Sequence, residues 1–169
     1  MLTKKMETAL NQQVAMEAES SMVYLAMASW AEMQPGLDGI TEFFYEQSDE
    51  ERLHMIKLIR FINERGGHGV VPKISQPKVD FDSIEDMFDH FLKSELKVSA
   101  SINELVGLSL DEKDFATYNF LQWYVTEQME EEQLARTLVD KLSLIGGDKG
   151  GLYLFDRDIM SMRTAEEGE

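Results

Sequence analysis

The sequence predicts an all-α protein: a four-helix bundle with a long crossover between its second and third helices and a short C-terminal fifth helix. Three observations carry that expectation. Apolar residues recur with helical period over four long stretches, no stretch alternates with a period of two, and the breakers are few and regularly placed. "QPGLDG" at 34–39 closes the first stretch, "RGGHGVVPKISQP" at 65–77 the second, and "IGGDKGG" at 145–151 follows the last.

The helices are therefore expected over about 5–34, 39–65, 83–111 and 114–142, with a tail helix, "GLYLFDRDIMSM", over about 150–161. Asp82 with Glu85 reads as a capping box opening the third helix, and Asp114 as the N-cap of the fourth. No break in composition divides the 169 residues, so one domain over 1–169 is expected, with the bundle occupying about 5–142.

Connection lengths set the topology. A few residues join the first helix to the second and the third to the fourth, which makes each pair an antiparallel hairpin. The middle connection, 66–82, can extend about 55 Å, enough to run back along a helix of about 42 Å. It is expected to be an ordered crossover that leaves the second and third helices parallel, with "VVPKI" and "VDF" as its apolar anchors.

Composition narrows the function classes. With 32 acidic against 16 basic side chains the formal charge is −16, which argues against nucleic acid and for cations as partners. The absence of cysteine excludes disulfides, thiolate metal sites and a cysteine nucleophile, and fits a reducing cytoplasm. No apolar run approaches the roughly 20 residues of a membrane span, and "MLTKKMETALNQQ" lacks the apolar centre of a leader. A soluble, cytoplasmic protein that keeps its first residues and meets no membrane is expected.

The chemistry lies in the helical seams. Counting alternately by three and four, the first helix presents Met6, Leu10, Gln13, Glu17, Ser20, Tyr24, Met27 and Ala31. The second presents Ile40, Phe44, Gln47, Glu51, His54, Leu58 and Phe61, and the third Ile84, Phe88, Phe91, Glu95, Val98, Ile102 and Leu105. On the fourth lie Thr117, Leu121, Tyr124, Gln128, Glu131, Ala135, Leu138 and Leu142. Each seam carries a glutamate near its middle, so Glu17, Glu51, Glu95 and Glu131 meet at one level.

Four buried carboxylates repel one another and each costs several kcal/mol to desolvate unless compensated. No lysine or arginine lies in the seams, whereas two divalent ions would supply the four positive charges needed. Glu51 and His54, three residues apart on one face, can direct an oxygen and a nitrogen at the same ion. The donor set favours iron or manganese, with zinc able to compete. One ion is expected on Glu17, Glu51 and His54, and the other on Glu51, Glu95 and Glu131, with Gln128 a weak or supporting ligand.

These residues, with "EERLH" at 50–54, "YNF" at 118–120, "FLQWYVTEQMEEE" at 120–132 and "DKLSLIGG" at 140–147, make the chain resemble the bacterial non-haem ferritins of the maxi-ferritin type over essentially its whole length. Dinuclear carboxylate proteins of that bundle place a Glu on two helices and Glu-x-x-His on each of the other two; here the second becomes Gln128-x-x-Glu131. The resemblance implies a ferroxidase that oxidises Fe(II) with dioxygen at an intra-subunit di-iron centre. It also implies storage of the Fe(III) mineral inside a hollow homo-oligomeric shell of twenty-four subunits.

It further implies that Tyr24 and Trp123 lie beside the iron pair, and that Glu50, Glu127 and Glu130 form a third iron site that passes iron towards the cavity. His68 and His90 fit no seam and are expected at the surface.

Rival readings differ at named positions. Haem-containing bacterioferritins place a methionine where this chain has Arg52 and keep a histidine where it has Glu131, so no haem is expected. A rubrerythrin-like di-iron oxidase or peroxidase without storage loses its rubredoxin-type centre for want of cysteine. A metal-free structural bundle is opposed by the clustered seam glutamates.

Overall fold

The computed structural model describes residues 2–164, which form five helices: α1 (Lys4–Glu32), α2 (Asp38–Glu64), α3 (Ile84–Asp111), α4 (Phe115–Ile145) and α5 (Lys149–Thr164). No strand occurs among the described residues. Of the two expected caps, one forms as expected and one moves by a residue. For α3 the N-cap is Ser83, not Asp82, and its side chain accepts from the Asp86 backbone N–H at 3.1 Å. Serine suits the position because its short hydroxyl reaches the third amide of the helix while its own backbone stays extended. Asp114 caps α4 as expected, accepting from Thr117 N at 3.2 Å.

Gly146 ends α4 in the left-handed conformation at φ 58°, three residues later than the sequence suggested, because Ser143, Leu144 and Ile145 carry the helix up to the first residue that tolerates that turn.

Cross-helix hydrogen bonds fix the directions. Tyr24 on α1 reaches Glu95 on α3, whereas Gln13 farther back on α1 meets Ser101 farther along α3, so α1 and α3 are antiparallel. Gln47 meets Glu131, Tyr124 meets the His54 backbone and Arg65 meets Asp114, so α2 and α4 are antiparallel as well. With α3 and α4 forming a hairpin, α2 and α3 run parallel, as the long connection predicts. Its anchoring differs from expectation. Phe81 is buried and lies edge-on to Trp30 at 5.6 Å, but Val70, Val71 and Val79 are exposed. The start of the connection is held instead by Asn11, whose side chain donates to His68 O at 3.0 Å and accepts from Val70 N at 2.7 Å.

The core is split along its length. One apolar cluster centres on Tyr24, Phe43, Phe44, Phe88 and Phe91 and includes Phe155 and Ile159 of α5; the other centres on Leu10, Leu58, Ile62, Ile102 and Leu121. Between them lies a polar layer containing Gln13, Glu17, Gln47, Glu51, His54, Glu95, Gln128 and Glu131, all buried. The seam count misplaces two end positions. Ile62 is buried where Phe61 was expected, and Phe61 instead stacks on Phe120 at 3.8 Å; Ile84 is only half-buried.

α5 packs beside α2. Its Asp156 carboxylate accepts from the backbone N–H groups of Gly39 (3.1 Å) and Ile40 (2.9 Å), capping the start of α2, which has no side-chain cap of its own. Gly39 is required there, since a Cβ would stand 1.9 Å from the Asp156 carbonyl oxygen.

Candidate metal centre

Each bundle helix contributes one glutamate to the middle layer, and three of the four are oriented by a glutamine. Gln13 Nε2 donates to Glu17 Oε1 at 2.7 Å, Gln47 Nε2 to Glu131 Oε2 at 2.9 Å, and Gln128 Nε2 to Glu95 Oε2 at 3.1 Å. The Tyr24 hydroxyl donates to the other Glu95 oxygen, and its ring packs edge-on against Phe91. Glutamine suits this role because its amide donates without adding charge; at Glu17 it holds one carboxylate oxygen and leaves the second without a partner, whereas at Glu95 Tyr24 takes the second.

Among the described residues, three buried oxygens are without a hydrogen-bond partner: Glu17 Oε2, Glu51 Oε2 and Gln47 Oε1. Leaving buried acceptors unpaired costs about 1 to 3 kcal/mol each, a cost that a bound cation could offset. Burial raises the pKa of all four glutamates. Mutual repulsion adds to this for Glu51 and Glu131, which are pushed well above the usual range, while Glu95 rises to about 7.

His54 lies between two carboxylate groups. Its Nδ1 is 3.5 Å from Glu51 Oε2 and its Nε2 is 3.9 Å from Glu127 Oε1. Potential ligand atoms of Glu17, Glu51 and His54 lie within 4.8 Å of one another, and so do those of Glu50, His54 and Glu127. Burial, with lesser contributions from Lys57 and Arg163, lowers the His54 pKa to about 4. The imidazole is therefore neutral at physiological pH and offers a lone pair to a cation. Trp123 stands edge-on to the imidazole at 5.2 Å and carries Lys57 Nζ over its own face at 3.1 Å.

The geometry brings together most of the residues expected from the sequence. Glu17, Glu51, His54, Glu95, Glu131 and Gln128 occupy the buried layer, and Tyr24 borders it. Gln128 turns its amide nitrogen, not its oxygen, towards Glu95, which makes it a positioning group in this structure. Glu50 and Glu127 cluster on the outer side of His54, whereas Glu130 is exposed and outside that group. His68 is exposed as expected, but His90 is half-buried, its ring 6.0 Å from Phe81.

One compensating cation lies outside the seams. Arg163 of α5 is buried and pairs with Glu50, and with Glu46 at 3.1 Å. Helical periodicity within the bundle could not reveal it, because α5 follows a separate turn.

Comparison with known proteins agrees with this architecture. A family model described as a ferritin-like domain matches residues 7–145. The chain is 41% identical over 167 residues to a bacterial non-heme ferritin of Campylobacter jejuni, covering 99% of each chain. It is 38% identical over 164 residues to a probable bacterial non-heme ferritin-like protein of Haemophilus influenzae, covering 97% of this chain and 99% of that one. Among solved structures, an open pore ferritin from the archaeon Archaeoglobus fulgidus superimposes with a TM-score of 0.91 at 42% identity, covering 94% of this chain and 98% of that one. The Chlorobium tepidum ferritin gives 0.85 at 38% identity, covering 95% and 98%. By sequence over nearly its full length and by fold, the chain belongs to the ferritin family.

Proposed function

We propose that the buried layer is a di-iron oxidation centre, with one Fe(II) on Glu17, Glu51 and His54 and the other on Glu51, Glu95 and Glu131. The protein is an iron-storage ferritin with ferroxidase activity. The observation that carries the site assignment is the split core. Four glutamates and a neutral histidine fill its middle, and Glu17 and Glu51 each leave a buried oxygen unpartnered. Two divalent ions match the charge of four ionised carboxylates, satisfy those oxygens and relieve the repulsion that raises the glutamate pKa values.

Iron is here substrate and cargo. Two Fe(II) ions each give up one electron to dioxygen, and the ferric products carry two further positive charges that the four carboxylates do not balance. Gln13, Gln47 and Gln128 hold the carboxylates in place, and the apolar clusters on either side keep the centre dry. Glu50 and Glu127, sharing His54 with the inner group, offer an adjoining carboxylate site through which iron leaves, with Glu130 receiving it farther out. A haem-free centre fits this reading, since the exposed Arg52 stands where a haem-ligating methionine would be needed.

No helix among the described residues is long and apolar enough to cross a membrane. The same reading gives a cytoplasmic homo-oligomeric shell of twenty-four subunits enclosing the mineral. The testing experiment adds Fe(II) in air to the purified protein and follows iron and protein together through a sizing column. Iron co-eluting with a very large assembly is the expected result. Oxidised iron precipitating away from a small oligomer would favour a di-iron oxidase without storage.

A further inference from the structure

The fifth helix inserts a cation among carboxylates that are otherwise arranged to bind cations. Arg163 is buried and pairs with both Glu46 and Glu50, which stand one turn apart on α2. Glu50 shares with His54 and Glu127 a grouping in which ligand atoms of all three approach within 4.8 Å. The guanidinium therefore occupies a carboxylate that an outgoing iron ion would also need.

Its reach is set by the register of α5 on α2. Asp156 is fixed to the amides of Gly39 and Ile40, and Arg163 follows it by seven residues, close to two helical turns or about 10 Å. Glu46 lies seven residues beyond Gly39, so two helices running side by side in the same direction bring Arg163 level with Glu46 and Glu50. The close approach at Gly39 prevents α5 from sliding along α2.

We propose that Arg163 is a tethered counter-cation that competes with metal for Glu50 and sets the occupancy of the outer site. This rests on the reading of the bundle centre as a metal site. The planar fork of the guanidinium gives it two acidic partners at once. When a metal ion arrives, Glu50 swings to it while Arg163 keeps Glu46, so the exchange costs one ion pair and leaves the arginine charge compensated. The less exposed Glu50, rather than Glu46, is the carboxylate shared with the outer site. Arg163 thereby keeps the outer site weak, which suits a position that iron passes through.

Because the contest is between two cations for one carboxylate, its two arms have opposite signs. Removing the arginine charge in Arg163→Gln takes away the guanidinium's claim on Glu50 and should tighten the outer site roughly five- to tenfold. Removing the alternative partner in Glu46→Gln leaves Arg163 held more firmly on Glu50 and should weaken the same site. Arg163→Lys keeps the charge and should stay within about threefold of the unaltered protein. A purely structural role for the α2–α5 contact would shift all three variants in one direction.

The experiment is a calorimetric titration of Zn(II), a divalent ion that does not oxidise, into the metal-stripped full-length assembly of each protein, with thermal melts recorded alongside. The expected result is two tight sites little changed across the set and a weaker site that tightens in Arg163→Gln and weakens in Glu46→Gln. Equal weak-site affinity in all four proteins, or shifts of the same sign in Arg163→Gln and Glu46→Gln, would overturn the role of Arg163. Absence of the two tight sites from the unaltered protein would instead overturn the di-iron reading.

Discussion

Gln13 and Glu17, one turn apart on α1, form a hydrogen bond of 2.7 Å that fixes Glu17 Oε1 and leaves Glu17 Oε2 buried without a partner. Gln13 is itself held, accepting from Ser101 at 2.5 Å. The pair aims one oxygen of a carboxylate at the centre of the bundle while using the other to keep it there. Gln13→Leu keeps the seam apolar and of similar size but releases that carboxylate. Metal affinity at the inner position should fall about 10- to 100-fold, as loss of a ligand's supporting hydrogen bond typically does. Anaerobic Fe(II) titration checks it; unchanged affinity would mean the orientation of Glu17 is set elsewhere.

Glu51 is the carboxylate shared by both proposed ions and the one most exposed to repulsion from Glu17, Glu95 and Glu131. Glu51→Gln should therefore move activity and metal-free stability in opposite directions. Rapid Fe(II) oxidation should collapse by at least about 100-fold, while the metal-free protein should melt higher near pH 8 because a carboxyl that burial and its neighbours disfavour is replaced by a neutral amide. Oxidation at the unaltered rate would remove Glu51 from the centre.

The outer carboxylates should separate in their effects. Glu127 approaches His54 Nε2 at 3.9 Å, whereas Glu130 is exposed and apart from that cluster. Glu127→Ala should slow the passage of iron out of the centre several-fold and also perturb the first oxidation phase, through His54. Glu130→Ala should leave that first phase intact. Stopped-flow absorbance over successive Fe(II) additions distinguishes the two, and loss of the first phase in Glu130→Ala would contradict this arrangement.

Stability of the metal-free protein should depend on pH in two windows. Glu95 rises to about 7 from 4.5 because burial favours its neutral form, so its contribution is full below about pH 4.5 and is lost as pH rises through 7. His54 falls from 6.5 to about 4, so its contribution is full above about pH 6.5 and is lost as pH falls through 4. The other three raised carboxylates reinforce the loss at higher pH. Melting temperatures of metal-stripped protein should fall from pH 6 to pH 8, and zinc loading should abolish that slope. Metal affinity should rise over the same range as binding displaces protons. A flat profile without metal would show that the carboxylates are not crowded as described.

Gly39→Ala should undock α5 from α2, since the added Cβ would meet the Asp156 carbonyl oxygen at 1.9 Å. A loss of about 2 to 4 kcal/mol is expected, with early protease cleavage within α5. Retained α5 protection in hydrogen exchange would argue that the packing adapts.

Legibility from sequence followed the range of each interaction. The bundle helices and their glutamates were readable because a helix repeats its buried face every three or four residues, so Glu17, Glu51, Glu95 and Glu131 stood out against apolar neighbours. Gln13, Gln47 and Gln128 fell in the same seams, yet which glutamate Gln47 or Gln128 would hold depends on contacts between different helices. Asp156 capping α2 and Arg163 pairing with Glu46 and Glu50 join residues more than 100 positions apart, and no local pattern marks such pairs. The Ser83 cap was missed because Asp82 and Ser83 are both capping residues and only backbone conformation chooses between them.

The most direct test of the central claim is an anomalous difference map at the iron edge from crystals of the protein exposed to Fe(II) without oxygen. Two peaks within the bundle are predicted, one beside Glu17, Glu51 and His54 and the other beside Glu51, Glu95 and Glu131. A bundle centre without iron, or iron bound only at Glu50 and Glu127, would contradict the assignment of the carboxylate layer as the oxidation centre.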